Sequence, residues 1–290
     1  MDLLAQGIVT GVLIGGLYAL MSLGVSLSWG ALKIINLAHF SFILLSAYLV
    51  YQLTITFGLD PLLMTLAVVP LFFIFGVLMQ MFFHWAKVDE FKSLIVTFGI
   101  FIILQSLTQT FWSADFRRIG SELNRYEGNS LFIGDIALPI PSLLAFIAAL
   151  GIAVTMSFVL SRTYFGKAVR AVAQDAEMAR AYGVDPNRVA VLLSGLSGAF
   201  SAMAGVFIAL GQAIYPGLAV SWFGVVFSVV ILGGLGNTVG ALTAGVIVGV
   251  AAGAAAVIWG PLAAPLVTFI ILIAALLFRP QGLLTSRSVA

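Results

Sequence analysis

The sequence predicts an all-α, polytopic membrane protein, and three observations carry that prediction. Only 8% of the 290 residues are charged and 62% are hydrophobic, against ~25% charged in a typical soluble domain. The apolar residues fall into nine stretches, each close to the ~20 residues that cross the hydrocarbon as a helix. Threaded alternately, these stretches sort the basic residues onto one side. So little charge could not cover a soluble fold, which excludes a globular domain in water, a disordered chain and a nucleic-acid binder. Cysteine is absent, so disulfides, thiol chemistry and thiolate-held metals are excluded too. Phenylalanine is abundant, with 23 residues, and suits a surface that faces lipid.

The spans are read near residues 5–29, 34–57, 61–83, 93–113, 139–161, 189–211, 219–235, 239–258 and 262–278. The seventh is short and ends in Gly233-Gly234-Leu235-Gly236-Asn237, so it either spans or re-enters, and eight or nine transmembrane helices are expected. With the N-terminus outside, ten basic residues lie inside: Lys33, Lys87, Lys92, Arg162, Lys167, Arg170, Arg180, Arg188, Arg279 and Arg287. Only Arg117, Arg118 and Arg125 lie outside. The excess of Lys and Arg on the cytoplasmic side fixes the orientation. Asp2 stands where a secretory signal would carry a basic residue, and many spans follow. The expectation is one transmembrane unit over residues 1–290 with a cytoplasmic loop at 162–188.

In the first span Gly7, Gly11 and Gly15 recur every four residues, and Gly245, Gly249 and Gly253 do so in the eighth. Such a spacing lines one helix face with glycine and admits a second backbone at close range. The two stripes, near opposite ends of the chain, also hint at an internal repeat.

The second stretch opens Lys33-Ile34-Ile35-Asn36-Leu37-Ala38-His39-Phe40-Ser41. On a helix, Asn36 and His39 would share a face. A polar pair at membrane depth faces the bundle interior or a cavity. His39 is therefore either a hydrogen-bonding group near the cytoplasmic end or part of a broken helix lining a path. Gln52, Gln80, Gln105, Gln109 and Gln212 are isolated polar residues, each read as an interhelical hydrogen bond.

The loop at 162–188 has helical composition from Gly166 to Gly183. Val169, Val172, Ala173, Ala176 and Ala179 form one apolar stripe. Gly183 can close that helix, and Asp185-Pro186 can cap and start the next. A short helix with an apolar face needs a groove to lie in, which points to a docking partner.

Motifs for catalysis are mostly absent. There is no G-x-x-x-x-G-K-[ST] phosphate loop and no His cluster for a metal. Gly195-Leu196-Ser197-Gly198 matches the G-x-S-G of intramembrane serine proteases, but the activating histidine would have to follow it, and His39 and His84 both precede it. No Asp or Glu lies mid-span, although ion-coupled carriers commonly use one there. Energy supplied from outside the chain is the expectation.

Four stretches together resemble the permease subunit of high-affinity branched-chain amino acid ABC transporters, a family that also includes amide and urea importers. They are Gly16-Leu17-Tyr18-Ala19-Leu20-Met21-Ser22-Leu23-Gly24-Val25-Ser26-Leu27, then Ile35-Asn36-Leu37-Ala38-His39 with Ser46-Ala47-Tyr48, then the loop from Gly166 to Gly183. The fourth pairs Gly233-Gly234-Leu235-Gly236-Asn237-Thr238-Val239-Gly240-Ala241 with Phe278-Arg279-Pro280-Gln281-Gly282-Leu283. The resemblance implies an ABC importer permease fold and half of a pore in the bacterial inner membrane, N-terminus periplasmic and C-terminus cytoplasmic. It implies a second homologous permease subunit, two cytoplasmic ATPase subunits that hydrolyse the ATP, and a periplasmic solute-binding protein. It implies no cofactor, no metal and no enzymatic activity in this chain. Asn36 and His39, with Gly236 and Asn237, are the expected translocation path. Gly166, Arg170, Ala171, Asp175, Ala179 and Gly183 are the expected ATPase-coupling residues. The chain departs from the family pattern at Leu37, where Phe is usual, and at Phe40 and Ser41, where Gly and often an acidic residue are usual. A narrower or more apolar pore follows, with the solute unnamed. A channel or ion-coupled carrier working without ATPases is the alternative.

Overall fold

The computed structural model describes residues 2–278 and Gly282. Arg279, Pro280, Gln281, Leu283 and Arg287 of the arguments above lie outside the described residues. The long helices are α1 (Asp2–Leu32), α2 (Ala38–Phe57), α3 (Thr65–Trp85), α4 (Glu90–Trp112), α5 (Ile140–Arg162), α8 (Pro186–Gly211) and α10 (Thr238–Trp259). Among the described residues these seven are long and apolar enough to cross a membrane. Two more apolar helices, α9 (Leu218–Gly233) and α11 (Ala263–Phe278), have 16 residues each and reach about 24 Å at 1.5 Å per residue. Between α5 and α8 lie α6 (Tyr164–Gln174) and α7 (Ala176–Ala181).

In lipid, apolar burial gives little drive to associate, so helices are held by close packing and by hydrogen bonds between them. The glycine stripes show the first. A Cβ on Gly11 would sit 2.5 Å from the Gly249 carbonyl, and one on Gly15 the same distance from the Gly245 carbonyl. The stripes of α1 and α10 therefore face each other, which accounts for both without an internal repeat. Gln80 of α3 shows the second, accepting from the Ser194 hydroxyl of α8 at 2.8 Å. The best-buried large side chains, Leu20, Met21, Phe40, Tyr48 and Phe72, come from α1, α2 and α3 and pack with α8 and α9. The outer helices α3, α4 and α5 turn broad apolar faces outward, with Leu66, Ile95, Phe98, Val154 and Phe158 exposed.

Residue contacts order the two ends of the bundle. At one end Ala31 and Leu32 of α1 pack with Ala168 and Val169 of α6 and Val189 of α8. At the other, the Gln6 amide exchanges two hydrogen bonds with the Ala137 backbone, at 2.8 and 2.9 Å. Helix α9 starts beside Ile14 and Leu17 of α1, and the chain after it meets Ser26. It thus runs one way along α1, from the level of Leu17 toward that of Ser26.

The 113–139 segment holds a hairpin that the sequence reading missed. Strands β1 (Ser130–Ile133) and β2 (Ile136–Pro139) form an antiparallel hairpin about Gly134, which has φ +62°, and Asp135. The same segment grips the α8–α9 linker. Arg117 and Ile214 exchange backbone hydrogen bonds at 2.8 Å, and the Asn124 amide donates to the Leu210 carbonyl at 2.9 Å. Arg125 pairs with Asp60 at 2.8 Å; the Tyr126 hydroxyl, then the Asp60 carboxylate, hold its guanidinium above the ordinary value.

Candidate functional site

Helix α1 stops at Leu32, and Lys33 takes φ +54°. Residues 33–37 form a non-helical linker before α2. Thr97 of α4 decides this: its Oγ1 accepts from the Leu37 N–H at 3.0 Å, and its hydroxyl lies 2.6 Å from the Ser93 carbonyl and 3.2 Å from the Ile35 carbonyl. The expectation that Asn36 and His39 share a helix face is therefore corrected. Asn36 is in the linker, His39 is in the first turn of α2, and the His39 N–H reaches the Asn36 carbonyl at 3.3 Å. The Asn36 Oδ1 is buried and has no hydrogen-bond partner among the described residues. Phe40, which stands where the family usually has Gly, sits just after the linker, edge-on to Phe223 of α9 at 4.3 Å between ring centres.

His39 is 1% exposed. Its Nε2 lies 3.0 Å from the Met21 carbonyl of α1 and its Nδ1 lies 3.3 Å from the Ser197 hydroxyl of α8. A carbonyl can only accept, so an Nε2–H tautomer satisfies both contacts. Sequence order had suggested that Ser197 lacks a histidine; the fold supplies one from upstream. The pair is sealed, because a Cβ on Gly24 would strike the imidazole, and a substrate has no approach to the serine.

The second linker, after α9, is also built against α1. The Gly236 N–H donates to the Ser26 carbonyl and Oγ, both at 3.0 Å. Gly236 backs directly onto Gly30. Asn237 caps α10, its Oδ1 accepting from the Gly240 N–H at 2.9 Å. Asn36, His39, Gly236 and Asn237 thus gather at one end of the bundle, around the last turns of α1.

The 162–188 loop lies at that same end. Gly166 packs against the Leu160 carbonyl with no room for a Cβ, and Thr163 caps α6. One expected helix is two, because Asp175 ends α6 and caps α7, accepting from the Glu177 and Met178 N–H groups at 2.9 Å. Ala171 is half-buried on α6 and Ala179 is buried on α7. After α7 the Gly183 N–H bonds to Arg180 and the Val184 N–H to Ala179, both at 3.0 Å, and Gly183 takes φ +85°. This is a complete Schellman ending. The Arg170 guanidinium folds back onto the Leu160 carbonyl of α5.

The apolar stripe of this loop has a different partner from the one its pattern suggested. Ala168 and Val169, with Val172 and Ala173, pack on Ala31, Val189 and Leu193 of the chain's own helices. The break at Asp175 leaves Ala176 exposed. What faces outward is Tyr164, Met178 and Tyr182, at 76%, 56% and 82% exposure.

At the opposite end a cavity of about 430 Å³ opens between α1, α5, α8 and α9. Tyr18, Ser142, Gln212 and Ser221 supply its polar groups among Leu17, Trp222 and Val225. Gln212 is exposed here and does not make the interhelical bond expected of it. A second cavity of about 270 Å³ adjoins it, lined by Arg118, Glu127 and Asn129. Both are lined by Pro141, Ser142 and Gly211. Sequence reading missed this site because its members come from five separated segments.

A family model described as the branched-chain amino acid transport system permease component matches residues 7–276. The permease protein BraD of the high-affinity branched-chain amino acid transport system of Pseudomonas aeruginosa is 27% identical over 294 aligned residues, covering 96% of this chain and 95% of that one. The corresponding permease LivH of Salmonella typhimurium is 26% identical, with 96% and 94% covered. A probable branched-chain amino acid transport permease of Methanocaldococcus jannaschii is 24% identical, with 97% and 93% covered. No solved structure matches the chain.

Proposed function

The chain belongs to the family of branched-chain amino acid transport permease components, and we propose that it is the membrane subunit of an ATP-driven importer for an aliphatic amino acid or a related amide or urea. It is a multi-pass membrane protein and a transport component rather than an enzyme. The observation that carries the proposal is the family match across residues 7–276. In this reading a second homologous permease completes the pore, two cytoplasmic ATPases drive it and a periplasmic binding protein delivers the solute. The whole of 1–290 acts as one transmembrane domain, and 162–188 is its coupling loop.

The end bearing Lys33, Lys87, Arg162 and Arg188 is cytoplasmic on this reading, by the excess of basic residues there. The N-terminus is then periplasmic. Asn36 and Gly236 stand in non-helical linkers at the inner end, and such backbone is tolerated at membrane depth where protein buries it or a cavity takes it up. The unpartnered Asn36 Oδ1 supports a place on the path; His39 holds that region to α1 and α8, and Asn237 caps the helix that follows. Tyr164, Met178 and Tyr182 present the apolar surface that an ATPase groove would cover. Gly166, Ala171, Asp175, Ala179 and Gly183 set the shape of that surface, and Arg170 ties it to α5.

The test is reconstitution of the permease pair in vesicles with and without the ATPase subunits, following leucine uptake and ATP hydrolysis together. Uptake that requires ATPase and ATP is the expected result. Uptake that continues without any ATPase would make the chain a channel or ion-coupled carrier.

A further inference from the structure

We propose that the two adjoining cavities at the 113–139 end form one vestibule within this chain that admits an aliphatic α-amino acid as its zwitterion. The ligand class rests on the transport reading; the vestibule itself rests on geometry. The cavities are lined in common by Pro141, Ser142 and Gly211, so they meet where the first turn of α5 faces the end of α8. The larger volume, about 430 Å³, falls within the ~300–1,000 Å³ of small-molecule sites.

The lining changes character from the smaller cavity to the larger in the order a zwitterion with an apolar tail requires. At the mouth Arg118 and Glu127 form an ion pair, Arg118 60% and Glu127 13% exposed at the side chain. An entering carboxylate can take the guanidinium and an entering ammonium the carboxylate, so neither charge loses a partner. At the neck the first turn of α5, at Ser142, meets the last residue of α8, Gly211. A Cβ on Gly211 would lie 3.3 Å from that of Pro141. The positive end of one helix and the negative end of the other thus face the same space, favouring carboxylate and ammonium respectively. Inside, no formal charge lines the cavity. Tyr18, Ser142, Ser221 and Gln212 offer hydroxyls and an amide, and Leu17, Trp222 and Val225 form an apolar wall. No hydrogen bond joins the Tyr18 hydroxyl to another described residue, so it is available to a ligand. Neutral dipoles hold a zwitterion without trapping it, as passage demands.

The experiment uses the assembled transporter in vesicles. The chain has no cysteine, so Ser142→Cys and Ser221→Cys report the cavity and Ser121→Cys, on the exposed outer segment, serves as control. Labelling by a small methanethiosulfonate is timed with L-leucine, with isocaproate, which lacks the ammonium, and with isoamylamine, which lacks the carboxylate. Leucine at about twice its half-saturating concentration should slow both cavity cysteines about threefold by mass action. The single-charge analogues and the Ser121→Cys control should show no slowing. In the two cavity cysteine backgrounds, Arg118→Gln should raise the leucine concentration needed for protection about fivefold, equivalent to roughly 1 kcal/mol, and Arg118→Lys should restore most of it. Equal protection by leucine and both analogues would overturn the zwitterion assignment. Absent protection while ATP-driven leucine uptake persists would overturn the vestibule and leave the importer standing. Protection without ATP-driven uptake would uphold the vestibule and remove the importer.

Discussion

The Ser197 hydroxyl of α8 lies 3.3 Å from the His39 Nδ1 of α2, and the other edge of the same ring meets the Met21 carbonyl of α1 at 3.0 Å. One side chain, 1% exposed, thereby joins three helices well inside the bundle, about three turns before α1 ends at Leu32. His39→Leu should lower the melting temperature of the purified protein. Each lost interhelical bond is worth about 0.6–1.7 kcal/mol in a membrane bundle. His39→Gln, which keeps a donor and an acceptor, should recover part of the loss. Melting curves in detergent for the two variants check this; an unchanged curve for His39→Leu would mean that these bonds hold nothing.

Asn36 should behave in the opposite way. Its Oδ1 is buried without a partner, so replacing the side chain by an apolar one of similar size removes an unmet polar group and is close to neutral or stabilising. Asn36→Leu is expected to melt at or above the wild-type temperature while transport falls severalfold. Uptake and melting measured on the same preparation separate the two effects, and wild-type uptake would reduce Asn36 to a packing residue.

The contrast between these two residues shows what the sequence could tell. Hydropathy located the helices, because apolar runs of about 20 residues have few other uses. It placed the break between 29 and 34 and not at 33–37, since Ile34, Ile35 and Leu37 are as apolar as any span. The break is made by Thr97, 60 residues away, bonding to the linker backbone. The glycine stripes were legible as packing faces, but not that α1 and α10 face each other. The first half of the stripe, Val169 to Ala173, was legible as a packed face; its cover proved to be Ala31, Val189 and Leu193 of the same chain. The hairpin at 130–139 did leave a signal, Gly134-Asp135 between two apolar runs, which the low polarity around it obscured. The vestibule left none, because cavities belong to tertiary packing.

Orientation is open to direct chemistry. In intact cells an impermeant maleimide should label Ser121→Cys and should reach Gln174→Cys only after permeabilisation, since both positions are exposed and lie at opposite ends of the bundle. The reverse pattern would invert the topology and place 162–188 outside, where no ATPase could meet it.

The 162–188 loop allows shape and contact to be tested separately. Gly183 takes φ +85°, a region that costs an L-residue roughly 1–2 kcal/mol, more for a β-branched one. Gly183→Val should therefore unwind the end of α7 and shift Tyr182 with it. Arg170→Glu removes the guanidinium from the Leu160 carbonyl and places a carboxylate beside it, which should loosen α6 from α5. Tyr182→Ser changes no internal packing, because the ring is 82% exposed; it removes only surface that a partner would cover. All three variants should insert in the membrane normally, since none of the positions lies in a spanning helix. If the loop docks on an ATPase, all three should copurify less of it and lose solute-stimulated hydrolysis, and Tyr182→Ser should do so with an unaltered melting temperature. A loop that merely links α5 to α8 predicts that Tyr182→Ser leaves ATPase recovery and stimulated hydrolysis unchanged, so this variant decides between docking surface and connector.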